Sequence, residues 1–297
     1  MFTTNYNLCI VDCTHCDWVT DETIRIIAEN SSFLESICVA KCCNVQGRTL
    51  PTLLGKCPRL KTLILEGTQL QDEYVKMTDW VQANITELNV LRCYRLSFSG
   101  LSEALPKLKR LRYLKCAMTD EILRSITSGF PLLEVLFLHR RYPVTVQCVS
   151  DLLFHCPSVT CLDISSIPLA FIYFESFLPC MPRLRLLSFA GNELLGTEKI
   201  LRSLGRNCLD LEVVCVNYFH STNNFEIERA FVFLMQNCRR LKELILNGLF
   251  VSNLVACIQS LAYNVCHRKD LSIVENKHFF LPGPRNSLDN IKCATYR

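Results

Sequence analysis

One short pattern, clearest in Cys57-Pro58-Arg59-Leu60-Lys61-Thr62-Leu63-Ile64-Leu65, recurs eleven times along this chain and leaves few folds open to it. Aligned on the first leucine, its successive equivalents are Asn5, Leu34, Leu60, Ile85, Leu111, Leu133, Val159, Leu184, Leu211, Leu241 and Arg268. The spacing averages about 26 residues, a period at which no unit buries its own apolar side and neighbours must stack into a solenoid. Period-two alternation turns Leu63 and Leu65 inward and Thr62, Ile64 and Glu66 to the opposite face, which predicts a short strand in the first half of each unit. The second half is a predicted helix, best seen from Trp18 to Asn30. There Thr20 or Asp21 caps the first turn, Glu22 suits its positive end, and Ile24, Ile27 and Ala28 form the inward stripe. Met118 to Ile126 repeats the arrangement, and Cys57-Pro58, Phe130-Pro131, Cys156-Pro157 and Met181-Pro182 end helices ahead of the next strand.

This period lies in the leucine-rich-repeat range. The fold class expected is α/β: a leucine-rich-repeat solenoid or horseshoe, with parallel strands on the concave face, helices on the convex face and about 11 repeats. An elongated array has no single core whose growth must stop, so one unit is expected over residues 1–276 of the 297. Residues 277–297 then form a tail or cap. Phe279, Phe280 and Leu281 make it too apolar for a simple disordered end, and it either covers the last repeat or folds back toward the concave face.

The residues resemble the cysteine-containing leucine-rich repeats of F-box proteins, whose unit reads roughly C-P-x-L-x-x-L-x-L-x-x-C-x-x-L-T-D-x-x-L. Cys57 to Leu65 matches its start, Cys13, Cys42 and Cys93 take its second cysteine position, and Thr20-Asp21 and Thr119-Asp120 match its Thr-Asp step. Elsewhere Thr68, Thr119, Arg141, Ile167, Asn192, Phe219 and Leu249 stand where that cysteine would be. The resemblance implies a protein-binding module, the substrate-recognition part of an SCF-type ubiquitin ligase, whose F-box would dock the ligase adaptor while the repeats hold the substrate. About four residues precede the first predicted strand, so no F-box fits in this sequence. Three readings of that end stay open: an incomplete gene model or an isoform that lost its F-box, a partner chain over the first repeat, or self-association there.

Composition narrows the setting. There are 19 cysteines, an odd number spread over the whole length, and Met1 to Asn7 has neither the basic nor the apolar region of a signal peptide. Reduced thiols acting as small buried hydrophobes are expected, in cytoplasm or nucleus. No apolar run approaches a membrane span, and a net charge of +4 is too small to announce nucleic acid, so neither partner is expected.

Chemistry has few seats. Cys9, Cys13 and Cys16 have a C-x3-C-x2-C spacing that resembles the iron-sulfur loop of radical S-adenosylmethionine enzymes; strand and ladder positions explain the same residues, with Leu8 and Ile10 pointing inward. Cys38, Cys42 and Cys43, or Cys257, Cys266 and His267, lack the paired spacing of a structural zinc site. Hydrolase and nucleotide motifs are absent, and His155 reads as a helix cap. The chain is expected to be non-catalytic and without a cofactor, with a free-standing repeat scaffold or inhibitor as the alternative and the iron-sulfur enzyme a remote one. Lys107, Lys109, Arg110, Arg112 and Lys115 form the densest basic run, read as a solvated turn or, alternatively, a nuclear-import or phosphate-binding patch.

Equal phases in adjacent parallel strands are neighbours, which predicts a midline on the concave face running Cys9, Cys38, Ile64, Asn89, Lys115, Phe137, Asp163, Ser188, Cys215, Ile245 and Ser272. Arg92, Tyr113, His139 and Arg140 flank its centre. In this reading Phe137 and Tyr113 anchor a protein partner, and Arg92, Lys115 and Arg140 select an acidic or phosphorylated segment.

Overall fold

The structure, a computed structural model, describes residues 8–126, 130–140, 144–165, 175–189, 196–217, 224–247 and 252–275. Asn5, the replacements proposed at 141, 167, 192, 219 and 249, and the tail beyond Glu275 lie outside these residues. Where the sequence predicts one unit, the chain divides into two compact ones: Met1–Leu133 with Arg141–Pro143, and Glu134–Arg140 with Val144–Arg297. The division follows Leu133, which closes the shortest interval of the array, the one that begins at Leu111.

In the first unit, strands β1 (Ile10–Asp12), β2 (Ser36–Cys38), β3 (Thr62–Ile64), β4 (Glu87–Asn89) and β5 (Tyr113–Met118) alternate with helices α1 (Asp21–Asn30), α2 (Leu50–Lys56), α3 (Asp72–Met77), α4 (Phe98–Ala104) and α5 (Asp120–Ile126). All consecutive strands pair in parallel. The second unit continues with β6 (Val135–Arg140), α6 (Val146–Phe154), β7 (Cys161–Asp163), β8 (Leu186–Ser188), α7 (Thr197–Asn207), β9 (Val213–Asn217), α8 (Asn224–Asn237), β10 (Glu243–Asn247), α9 (Ser252–Asn264) and β11 (Ser272–Glu275). Its strands pair the same way.

Helix α1 shows why the pattern folds locally. Thr20 caps it with a reciprocal bond to Thr23, Asp21 and Glu22 occupy the first turn, and Ile24, Ile27 and Ala28 are buried, as predicted. Asp21 also staples one repeat to the next, accepting from the backbone N–H of Gln46 and Gly47 at 2.9 Å each. Asp72 does the same for the amide and hydroxyl of Ser97. His155 is the C-cap of α6, its Nδ1 2.7 Å from the Asp151 carbonyl.

Buried turn carbonyls, each already accepting one backbone amide of its own turn, take a second contact from a cysteine thiol of the next repeat. The buried Cys42 thiol lies 3.0 Å from the Cys13 carbonyl, and that of Cys93 lies 3.1 Å from the Leu65 carbonyl. At the equivalent position the Thr68 hydroxyl turns back to its own repeat, 2.7 Å from Leu65 O, the same carbonyl that Cys93 faces. A second ladder uses the cysteine before the leucine: Cys57 faces Ser31 O at 3.5 Å, Cys208 faces Met181 O at 3.6 Å, and Cys238 faces Cys208 O at 3.4 Å. Arg268 takes over where no thiol follows, its guanidinium 3.2 Å from Cys238 O. Burial pushes the thiols of Cys57 and Cys93 up to about 11 and those of Cys208 and Cys238 up to about 12. All described cysteines are free, and these buried ones are poor nucleophiles.

The strand pairing corrects both ends of the sequence alignment. Asp12, not Cys9, pairs with Cys38, so Leu8 replaces Asn5 as the first leucine and Cys16 replaces Cys13 at the second cysteine position. Ile10 is 58% exposed and Val11 fills the core, the reverse of the expected inward Ile10. At the far end Ile245 pairs with Val274, so Val274 replaces Ser272 and Asp270 replaces Arg268. The apolar pattern is weakest in the first and last described repeats, where Asp12 and Glu275 replace apolar residues in the strands.

Candidate protein-interaction surface

On the first unit the face opposite the helices carries one register-aligned row: Asp12, Cys38, Ile64, Asn89 and Lys115. The predicted midline therefore holds from Cys38 to Lys115. On the second unit the row Phe137, Asp163, Ser188, Cys215 and Ile245 also runs as predicted. The predicted central group is thus shared between two units. Asn89, Arg92, Tyr113 and Lys115 belong to the first; Phe137, His139 and Arg140 belong to the second.

Much of the first group serves the fold. Asn89 is buried, donating from Nδ2 to Glu66 Oε2 at 2.8 Å and accepting the Leu91 amide at 3.1 Å. Asp12 and Asp163, at the same phase, each accept the amide two residues on, at 3.1 and 2.9 Å. These carboxylates and the Asn89 amide oxygen end their strands. Lys115 lies 3.5 Å from Glu66, both side chains only partly exposed. Glu66 thus holds two of the predicted residues at once, and sequence reading left it out. The signal was its phase, two residues past Ile64 and facing the same side.

Tyr113 corrects the prediction. Alternation puts it on the open face, but it is 7% exposed, so its ring is packed away from solvent and does not stand out as an anchor. Arg92 is exposed and sits at φ +61°, in the left-handed region. His15, Lys41 and Gly67 hold the same phase in the preceding repeats at φ between 61° and 70°. The left-handed turn belongs to the repeat, and its backbone N–H groups bond across to Ala40, Glu66 and Leu91 carbonyls. Arg92, Lys41 and His15 project from it, with Lys41 Nζ 3.0 Å from His15 Nε2. Phe137 is half-buried; His139 and Arg140 belong to β6, and their side chains lie outside the described residues.

Among the described residues no group of three or more histidine, cysteine or acidic side chains could hold a metal ion, so Cys9, Cys13 and Cys16 do not form a ligand set. The two zinc candidates fare the same way: Cys42 is a ladder thiol, and Cys257 lies within α9. No described helix is long and apolar enough to cross a membrane. The basic run before β5 is an exposed turn, as expected.

No protein-family model matches the sequence. F-box/LRR-repeat protein 23 of Arabidopsis thaliana is 25% identical over 146 residues, covering 46% of this chain. Over that stretch the repeats are similar to those of this F-box/LRR-repeat protein. The chain spans 32% of that relative's length. Among solved structures, a chain in the yeast Rad7 and Elc1 complex superposes with a TM-score of 0.62 at 18% identity, covering 91% of this chain and 76% of that one. A chain of the TLR13-ssRNA13 complex aligns with a TM-score of 0.47 at 15% identity, over 86% of this chain and 38% of that one. The superposition on the chain from the Rad7 and Elc1 complex shows the solenoid fold to be a shared one.

Proposed function

We propose that the chain is the substrate-recognition part of an F-box-type ubiquitin ligase, holding a protein for ubiquitin transfer carried out by other components. One observation carries the recognition role: the register-aligned row on the first unit, with Ile64, Lys115 and Glu66 partly open and Arg92 exposed beside it. Such a row offers apolar and ionic groups at fixed spacing along a surface, which suits an extended contact with a protein. The ubiquitin link is supported by the F-box/leucine-rich-repeat relative. In this reading the chain catalyses nothing itself, needs no cofactor and works in cytoplasm or nucleus.

Affinity purification of the natural protein from its own cells, followed by mass spectrometry, tests this. Recovery of a ligase adaptor and a cullin is the expected result. Reproducible partners with neither component would instead favour a free-standing scaffold or inhibitor.

A further inference from the structure

The strongest charged feature of the first unit is assembled by the fold. In the third repeat Lys56, Arg59 and Lys61 stand four before, one before and one after the first leucine, Leu60. In the fifth repeat Lys107, Arg110 and Arg112 stand at the same three phases about Leu111. The parallel pairing of β3, β4 and β5 puts both triplets on the edge where the strands begin. All six cations are exposed. Between them the fourth repeat offers Val81, Asn84 and Thr86, all uncharged. Asn84 ties the edge together, donating to Pro58 O at 2.9 Å and accepting from Arg110 at 2.5 Å. Lys61 pairs with Glu35 at 3.3 Å, and Arg59 stacks over Phe33 at 4.6 Å. Among the described residues no acidic side chain pairs with Lys56, Lys107 or Arg110.

We infer that this edge is a docking rim for an extended acidic or phosphorylated peptide segment whose anionic groups lie three residues apart. Two strand spacings separate the triplets by about 10 Å. A segment in the open polyproline II conformation has three residues per turn and rises about 3.1 Å per residue, so anions at i and i+3 stand on one side about 9 Å apart and meet one triplet each. Guanidinium groups at matching phases suit bidentate capture of phosphate or carboxylate. Nucleic acid is the weaker fit: single strands need aromatic faces for their bases, and the ring of Phe33 at this edge is already covered by Arg59. A net charge of +4 is also low for a nucleic-acid binder. The inference deepens the recognition reading and rests on it only in taking the partner to be a protein.

Fluorescence anisotropy on the purified full chain tests it with four labelled probes: a twelve-residue peptide with phosphoserines at i and i+3, the same composition with them at i and i+1, an oligouridylate of equal charge, and phosphatidylserine vesicles. The i, i+3 peptide should bind at least about fivefold tighter than the i, i+1 peptide and be weakened by salt. Arg59→Glu with Arg110→Glu should weaken it by at least about tenfold. Because those two side chains also touch Phe33 and Asn84, Lys56→Glu with Lys107→Glu is the second variant and should weaken it in the same direction. Equal affinity for the two peptides, tighter binding of oligouridylate or vesicles, or no loss in either variant overturns the inference. Recovery of adaptor and cullin alongside any of those results would sink the rim and leave the ligase reading standing.

Discussion

Glu66 reaches Lys115 across two repeats, with Oε2 3.5 Å from Nζ and 2.8 Å from the Asn89 amide nitrogen between them. A single carboxylate therefore organises the middle of the open face on the first unit. Because both charged side chains are partly exposed, a double-mutant cycle of Glu66→Ala and Lys115→Ala should give a coupling of at most about 1 kcal/mol in urea unfolding. A coupling of several kcal/mol would mean that the pair is the main fastener of these repeats.

Arg92 occupies a left-handed position that Gly67 fills in the repeat before it. Replacing Arg92 with glycine relieves the side-chain clash of that conformation, so Arg92→Gly should raise stability by about 0.5–1 kcal/mol despite the added freedom of the unfolded chain. Thermal unfolding of the variant decides the point. A fall in midpoint would show that the arginine side chain contributes contacts to the fold.

Thr68 occupies a ladder-cysteine position, and its fully buried hydroxyl donates to the Leu65 carbonyl of its own repeat, which the Cys93 thiol also faces. Thr68→Val keeps the shape and removes the donor, at a cost of about 1–2 kcal/mol. Thr68→Cys restores the thiol of the repeat and should cost less. Equal losses in the two variants, read from denaturant midpoints, would remove hydrogen bonding as the reason for cysteine at this phase.

The ladder thiols also set a pH limit. Burial raises Cys57 and Cys93 from an ordinary value of 9.0 to about 11, and Cys208 and Cys238 to about 12. A raised folded value means the native state keeps protons that the unfolded chain has lost. Their contribution is therefore complete below pH 9 and declines as pH rises through 11 and 12. Stability measured from pH 8 to pH 12 should hold to about pH 9 and fall above it, with thiol labelling of these sites following unfolding; rapid labelling of Cys93 in the folded protein at pH 8 contradicts the burial.

Glu212 gives the opposite limit. Burial alone would raise its carboxyl, but hydrogen bonds from Arg185 at 2.6 Å and Lys242 at 3.0 Å outweigh that and hold it below the ordinary 4.5. Its contribution is present above pH 4.5 and is lost as pH falls toward the lowered folded value. Glu212→Gln should cost roughly 2 kcal/mol at neutral pH and flatten the acid limb of the stability curve.

The repeat architecture was legible because apolar period and strand alternation recur in every unit, so an error in one copy is outvoted by its neighbours. In the first and last described repeats the pattern is sparser and the reading slips, with Asn5 taken for Leu8 and Arg268 for Asp270. The open-face row was legible from phase alone, as Ile64, Asn89 and Lys115 show. What each side chain does on that face was not. Alternation gives the side on which Asn89 and Lys115 stand, yet Glu66 holds them from one and two repeats away, and no local window brings the three together. The basic rim was half visible as the run from Lys107 to Arg112, while its other half at Lys56, Arg59 and Lys61 needed the strand pairing.

The account depends most on parallel repeats stacked in one register, and oxidative crosslinking of an Ile64→Cys variant measures that directly. Residue 64 is the strand partner of Cys38, at a separation within the roughly 4.4–6.8 Å that a disulfide spans between α-carbons. Peptide mapping of the oxidised protein should find residues 38 and 64 joined, and no such bond to Cys38 in a Leu65→Cys variant, whose side chain enters the core. A bridge from position 65, or none from position 64, would mean that the strands are out of register and that the surface described above is not the one the protein presents.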